Sequence, residues 1–356
     1  MQSSIMTTTP HTIFITSFLE NEHVERIRAV APDRVEVIFE PDLLPPARYL
    51  GDHEGDESFR RTSEQESRWR DRLSRATILW DFPAGSETER GLALAPNVGW
   101  VQTTSSGVGQ RVHALGLADS DLIVTTARGV HADALTEFVF LILLGHTKNL
   151  PRLLRDQTQK RWDRYCGGEL SGKTITVVGA GQIGARIGAI ARAFQMKVIA
   201  VVNRPSPDRR GELFADDVVG QSDLQGAVAQ ADYVVLSTPH TPLTDRMIDR
   251  DVISAMKRGV VLVNIARGRV VDEKAMIDAL KDGRIGFAGL DVTTVEPLPP
   301  DSPLWTLPNV LISPHSASTA PSENRKITDI FCRNIAHYVD GDLERMINLL
   351  DKPRMY

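Results

Sequence analysis

Short apolar runs alternate with stretches of helical spacing along the whole chain. In the first third, Thr12 to Ser17 (TIFITS), Val35 to Glu40, Ala76 to Asp81 (ATILWD), Trp100 to Thr104 and Leu122 to Ala127 read as strands. Glu20 to Val30 and Ser63 to Arg75 carry helical spacing, and Pro41, Pro45 and Pro46 interrupt the pattern. Gly51 to Arg61 is charged and irregular and reads as a solvated surface loop. Ala132 to Lys148 is a long helix, apolar nearly all round, which predicts burial, a crossing between domains, a subunit interface, or both of the latter. Six further strands are predicted at 174–178, 197–202, 233–238, 260–266, 287–292 and 310–314, with helices between most of them and a last helix at about Ser322 to Val339. This alternation predicts an α/β protein with a parallel sheet in each part, the second with the strand count of a doubly wound fold.

Composition narrows the class. With 356 residues, 42% of them apolar, the chain is long enough for two domains with substantial cores. A net charge of −5 offers no nucleic-acid footprint. Cys166 and Cys332 are too few for a disulfide framework and sit in no metal-like spacing, so no metal is expected and a reducing compartment is. The first eleven residues are polar, lack the apolar core of a signal peptide and read as a frayed tail. The most apolar run, Phe138 to Leu144, falls far short of the roughly 20 residues that span a bilayer. The expectation is a soluble, cytoplasmic protein with no membrane or nucleic-acid partner.

The stretch KTITVVGAGQIGARIGAIARAF, Lys173 to Phe194, carries the first chemistry. Gly179, Gly181 and Gly184 follow a strand and open a helix near Gln182, in the spacing G-x-G-x-x-G. Gly179 permits the tight turn, Gly181 lets a pyrophosphate approach the backbone, and Gly184 lets the helix pack on its strand. The positive end of the helix then faces the phosphates. A dinucleotide is the ligand this predicts.

Ligands of open α/β sheets sit beyond the carboxyl ends of strands. The fourth predicted strand of this part ends in NIARGRVVDE, placing Arg267 there; the fifth ends in GLDVTTVEP, placing Asp291 and Glu296; the sixth ends in LISPHSAS, placing His315. Each of these has an ordinary alternative as an ion-pair, loop or turn residue. Together they predict an arginine, a carboxylate and an imidazole beside a bound nicotinamide.

At these residues the chain resembles the D-isomer-specific 2-hydroxyacid dehydrogenases. The matching pieces are SSGV at 105–108, ARGVHADALTEFV at 127–139, VVGAGQIG at 177–184, STPHTPLT at 237–244, VNIARG at 263–268, GLDVTTVEPLP at 289–299 and PNVLISPHSAS at 308–318. The resemblance implies a Rossmann-type doubly wound coenzyme domain at 128–318 and a smaller flavodoxin-like α/β substrate domain formed by 1–127 and 319–356. It implies that Arg267 grips a 2-oxo acid, that His315 gives a proton to the carbonyl oxygen, and that Glu296 orients the ring and raises its pKa. Gly107 and Val108 are implied to hold the substrate carboxylate through their N–H groups. Cofactor contacts are implied at Gly179, Gly181, Gln182, Ile183, Gly184, Asn203, Arg204, Thr238, Pro239, Thr244, Ile265, Ala266, Asp291, His315 and Ser318. A homodimer through the coenzyme domains, using the helix 132–148, is implied as well.

One departure from the pattern bears on the cofactor. An acidic residue about 20 positions beyond the glycine turn would bond the ribose 2′-hydroxyl of NAD. Here the second strand ends Val201-Val202-Asn203-Arg204, no Asp or Glu occurs from Ala185 to Pro207, and Arg209 and Arg210 lie near. An arginine there attracts a 2′-phosphate, so NADP is favoured over NAD. Glu296 argues against the formate dehydrogenase branch, which pairs its histidine with Gln. The short stretch after His315 disfavours a phosphoglycerate dehydrogenase with a regulatory domain. A non-catalytic NAD(H)-sensing corepressor is the alternative from another class. Trp80 and Phe82 are candidates to line the substrate pocket or to be core aromatics, and Trp305 is a candidate to approach a site.

Overall fold

A computed structural model describes residues 10–83 and 92–356. Most of the N-terminal stretch read as a tail lies outside the described residues. The chain divides into two compact units, one formed by 1–130 with 319–356 and the other by 131–318. The first change-over thus falls after Val130 rather than after Ala127.

Among the described residues the first unit holds five parallel strands, β1 (His11–Ile15), β2 (Val35–Ile38), β3 (Ile78–Trp80), β4 (Trp100–Gln102) and β5 (Ile123–Thr125), in the order β2-β1-β3-β4-β5. Successive side chains of β1 feed opposite cores. Ile13 and Ile15 pack with Trp80, Trp100 and Phe331, whereas Phe14 packs with Leu79, Val101, Trp69 and Leu73. A sheet covered by helices on both faces needs such near-continuous apolar strands. Trp80 meets Phe331 edge-on with ring centroids 5.4 Å apart, and Phe82 is buried under Arg111, so both are core aromatics.

The second unit holds seven parallel strands: β6 (Thr174–Val178), β7 (Lys197–Val202), β8 (Asp217–Gly220), β9 (Tyr233–Leu236), β10 (Val260–Asn264), β11 (Ile285–Leu290) and β12 (Val310–Ile312). Their order is β12-β11-β10-β9-β6-β7-β8, a doubly wound sheet that reverses direction at β6/β9. Six strands were expected. The seventh is the edge strand β8, whose short run DVVG follows Asp216 and lacks the apolar length that marks a central strand. Its acids serve the edge, since the Asp216 carboxylate accepts the Val198 N–H of β7 at 2.8 Å.

The helix Ala132–Thr147 corrects the sequence expectation. It lies wholly within the second unit, against the helix Gln182–Ala193 and strands β10 and β11, and does not cross between units. Nor is it buried all round: Leu135, Val139, Ile142 and Leu143 face the core, while Leu141 is about half exposed. A helix laid on a sheet can turn only one stripe inward. Gly289 of β11 permits the close approach, because a Cβ there would sit 2.5 Å from Ile142 Cγ1.

Candidate active site

Strand register sets the site. Val178 of β6 pairs with Leu236 of β9, Leu236 with Asn264 of β10, Asn264 with Leu290 of β11, and Leu290 with Ile312 of β12. Five strands therefore end on one level. Gly179, Ser237, Ile265, Asp291 and Ser313 are the first residues past it, and Arg267, Glu296 and His315 follow within a few positions on three adjacent loops.

On the β6 side the three glycines are distinguished by their surroundings. Gly179 has φ +92°, in the left-handed region, and a Cβ there would lie 2.5 Å from the Thr238 backbone. Gly184 packs its helix on β6, where a Cβ would meet Val177 Cγ1 at 3.1 Å. At Gly181 a Cβ would meet nothing within 4 Å. Glycine there leaves space for a ligand rather than for a neighbouring residue. The helix Gln182–Ala193 begins immediately after it, and the N–H groups of Gln182 and Ile183, in its first turn, have no intrahelical acceptors. The cradle fits a pyrophosphate.

Asn203 and Arg204 stand exposed just past β7. The nearby arginines are committed elsewhere: Arg209 pairs with Glu212 at 3.3 Å and Arg210 with Asp217 at 3.2 Å. Among the described residues Arg204 has no ion-pair partner. Thr238 is buried, Pro239 is exposed, and the Thr244 hydroxyl donates to the Pro239 carbonyl at 2.7 Å while accepting the Thr241 N–H at 2.8 Å, which closes the loop after β9. Ile265 and Ala266 are buried after β10, and Ser318 is half-buried at the end of the unit.

On the other side, His315 Nδ1 lies 2.8 Å from Glu296 Oε2. The second oxygen, Glu296 Oε1, accepts the Thr293 N–H at 3.0 Å, so the carboxylate is held at both ends. With Nδ1 committed, Nε2 is the nitrogen left for chemistry. The Glu296 hydrogen bond raises the His315 pKa above its ordinary value, against burial and the Arg267 charge. Burial pushes the Glu296 carboxyl up, but the hydrogen bonds from His315 and Thr293, with the charges of His315 and Arg267, bring it below the usual range. Burial lowers the Arg267 pKa, opposed by the charges of Glu296 and Asp291, yet a guanidinium stays protonated.

His315 also sits at φ +54°, unusual for a residue with a Cβ and costing about 1–2 kcal/mol. Asp291 offsets that cost. Its carbonyl accepts the His315 N–H at 2.9 Å, and its carboxylate, 2% exposed, accepts the Ser313 hydroxyl at 2.7 Å and the Ala317 N–H at 2.9 Å. Expected beside the nicotinamide, Asp291 is seen to strap the histidine loop.

Asn264 was missed from the sequence. This buried strand-end side chain accepts the Ala266 N–H at 3.0 Å and donates to the Arg267 carbonyl at 3.2 Å, fixing the turn that presents Arg267. A polar residue closing the apolar run VVLVN is the signal that could have found it. Gly268 then lets the Glu296 loop touch the Arg267 loop, since a Cβ there would fall 2.0 Å from the Thr293 carbonyl. Gly107 and Val108 belong to the other unit, just beyond β4. The Trp305 indole is half exposed and donates to the Pro299 carbonyl at 3.0 Å. Among the described residues no group of three or more His, Cys, Asp or Glu could hold a metal, and no helix is long and apolar enough to cross a membrane.

The fold is a doubly wound parallel α/β sheet with a glycine cradle and a His–Glu pair at one edge. Residues 140–317 match the family model described as D-isomer specific 2-hydroxyacid dehydrogenase, NAD binding domain. The chain is 32% identical over 253 residues to D-3-phosphoglycerate dehydrogenase of Methanocaldococcus jannaschii, covering 70% of this chain and 48% of that one. It is 32% identical over 228 residues to glyoxylate reductase of Korarchaeum cryptofilum, covering 62% of this chain and 68% of that one. It thus spans about half the length of the first of these relatives. A D-isomer specific 2-hydroxyacid dehydrogenase family protein from Aeromonas salmonicida superposes with a TM-score of 0.76 at 28% identity, covering 97% and 100% of the two chains. A D-isomer specific 2-hydroxyacid dehydrogenase from Xanthobacter autotrophicus Py2, in complex with NADPH and MES, does so with a TM-score of 0.76 at 26% identity, covering 98% and 100%. The chain belongs to the D-isomer specific 2-hydroxyacid dehydrogenase family.

Proposed function

We propose that this protein is an NAD(P)-dependent D-2-hydroxyacid dehydrogenase that reduces a small 2-oxo acid such as glyoxylate, hydroxypyruvate or a larger 2-ketoacid. The observation that carries this is the 2.8 Å His315–Glu296 pair on the same sheet edge as Arg267. A bound reduced nicotinamide supplies the hydride to the carbonyl carbon. Arg267 offers its fork of donors to the substrate carboxylate and polarises the carbonyl. His315 Nε2 delivers a proton to the carbonyl oxygen as charge develops there, and Glu296 stabilises the imidazolium beforehand and keeps the ring in place. In the reverse direction neutral His315 accepts the proton. The assay is loss of NADPH or NADH absorbance with a panel of 2-oxo acids. Turnover supports the enzyme; tight cofactor binding with no turnover on any of them overturns it in favour of a sensor.

The cofactor proposed is NADP in preference to NAD. Arg204 is exposed at the end of β7 and, among the described residues, has no ion-pair partner, whereas Arg209 and Arg210 are paired. A lower Michaelis constant for NADPH than for NADH supports this, and equal or better use of NADH sinks it.

A homodimer through the coenzyme unit is also proposed. Leu141, Leu150, Leu153 and Leu154 are exposed on two successive helices, and Trp162 beyond them is 94% exposed. Exposed apolar surface of this kind marks interaction sites. Sedimentation at the mass of one chain would exclude the dimer. A cytoplasmic location is proposed with it.

A further inference from the structure

We propose that Glu273 is a positioning residue for the His315–Glu296 pair, acting through the backbone of the loop that carries Glu296. This deepens the dehydrogenase reading and rests on it. Glu273 is the first residue of the helix Glu273–Lys281, whose start is already capped by the Asp272 side chain accepting the Ala275 N–H at 3.0 Å. The Glu273 carboxylate reaches away from its own helix instead, and its Oε2 accepts the Thr294 N–H at 2.8 Å.

Thr293 and Thr294 thus give their consecutive amides to two different carboxylates. Thr293 N–H goes to Glu296 Oε1 at 3.0 Å, inside the loop, and Thr294 N–H goes to Glu273, outside it. Thr294, Val295 and Glu296 are exposed and lie between β11 and β12, where no sheet ladder holds them. The close approach at Gly268 and the bond to Glu273 place the loop, alongside the Thr293 hydroxyl donating to the Val295 carbonyl at 2.8 Å within it. Gly268 sets how near it comes to the Arg267 turn, with room for no Cβ beside Thr293. Glu273 sets which way the peptide at 293–294 faces. The Thr293 N–H, in the preceding peptide 292–293, meets Glu296 Oε1, and the other carboxylate oxygen is left on His315 Nδ1. Freed from Glu273, the peptide can rotate toward solvent, and the Glu296 carboxylate loses its fixed aim at the ring.

The charged groups around His315 are Glu296, Arg267 and Asp291. Glu273 acts on the ring through geometry, and Gln, which keeps an acceptor oxygen without the charge, should replace it. The test compares Glu273→Ala, Glu273→Gln and the same changes in a Glu296→Gln background. The readouts are turnover with NADPH, cofactor affinity by fluorescence titration, thermal melting, and the His315 ring pKa by NMR titration. Glu273→Ala should lower kcat by about three- to tenfold, the net worth of one ordinary hydrogen bond, with cofactor affinity and melting unchanged. It should also bring the His315 pKa down. Glu273→Gln should restore both, and Glu273→Ala should add nothing once Glu296 is Gln. An unchanged ring pKa in Glu273→Ala, an equal shift in Glu273→Gln, or an additive loss in the double variant overturns the proposal. The ring titration needs no turnover, so it distinguishes failure of this inference from failure of the dehydrogenase reading.

Discussion

The two halves of the seven-stranded sheet meet a ligand edge in different ways. Around β6 and β7 the work falls to main chain and missing side chains: Gly179 turns left-handed, Gly181 opens space, and Gly184 seats the helix. Around β10 to β12 it falls to side chains from three strand ends, Arg267, Glu296 and His315, each held by further bonds from Asn264, Thr293 and Asp291. The first half is local, complete within about a dozen residues. The second exists only because register brings separate strand ends to one level. A local device tolerates change elsewhere in the fold, whereas an assembled one depends on every loop that feeds it.

The largest effect should come from the assembled half. His315→Ala should lower kcat by about 10²–10⁴-fold, the usual contribution of general acid catalysis, while NADPH affinity measured by fluorescence stays within about twofold of the wild type. Near-normal turnover would remove His315 as proton donor. Arg267→Ala should raise the Michaelis constant for the oxo acid and slow turnover. The combined loss in kcat/KM should be about 10–150-fold, the range for a hydrogen bond to a charged group.

Changes at the glycines separate fold from ligand. Gly181→Ala should leave the melting temperature unchanged, because its Cβ would enter open space, yet weaken dinucleotide binding by about tenfold or more through the pyrophosphate it blocks. Gly179→Ala should instead lower stability by about 1 kcal/mol or more, from positive φ and the contact with Thr238. If the two variants behave alike in melting, the space beside Gly181 is not a ligand cradle. Arg204→Ala should raise the Michaelis constant for NADPH by about tenfold, the worth of one phosphate contact, and scarcely alter that for NADH.

The smallest effect is a displacement in pH. Reduction needs His315 protonated, so its rate should fall as pH rises through the imidazole pKa, which Glu296 lifts above 6.5. Oxidation needs the neutral ring and should rise over the same interval. In Glu296→Gln the support is removed, the ring pKa falls, and both breaks should move to lower pH. A profile that stays in place would dissociate Glu296 from the titration of His315.

Much of the fold was legible because buried parallel strands are written as apolar runs, as in TITVV, KVIAVV and VVLVN. β8 was missed because an edge strand needs only partial burial, and DVVG between acids resembles a loop. The helix Ala132–Thr147 was overread because composition shows how apolar a helix is, not which stripe faces the sheet. The glycine cradle was legible because its geometry follows from three residues a few positions apart.

The sequence by itself determined the strand-turn-helix at Lys173 to Phe194, the absence of an acid between Ala185 and Pro207, and the types of side chain that end β10, β11 and β12. Tertiary structure alone decided that His315 Nδ1 meets Glu296 Oε2, that Asp291 straps the histidine loop, and that Arg209 and Arg210 are neutralised while Arg204, among the described residues, is not. The physical reason is the range of the interactions. Backbone conformation and apolar patterning act between near neighbours, whereas hydrogen bonds and charges act between whatever groups the packed sheet brings within about 3–4 Å.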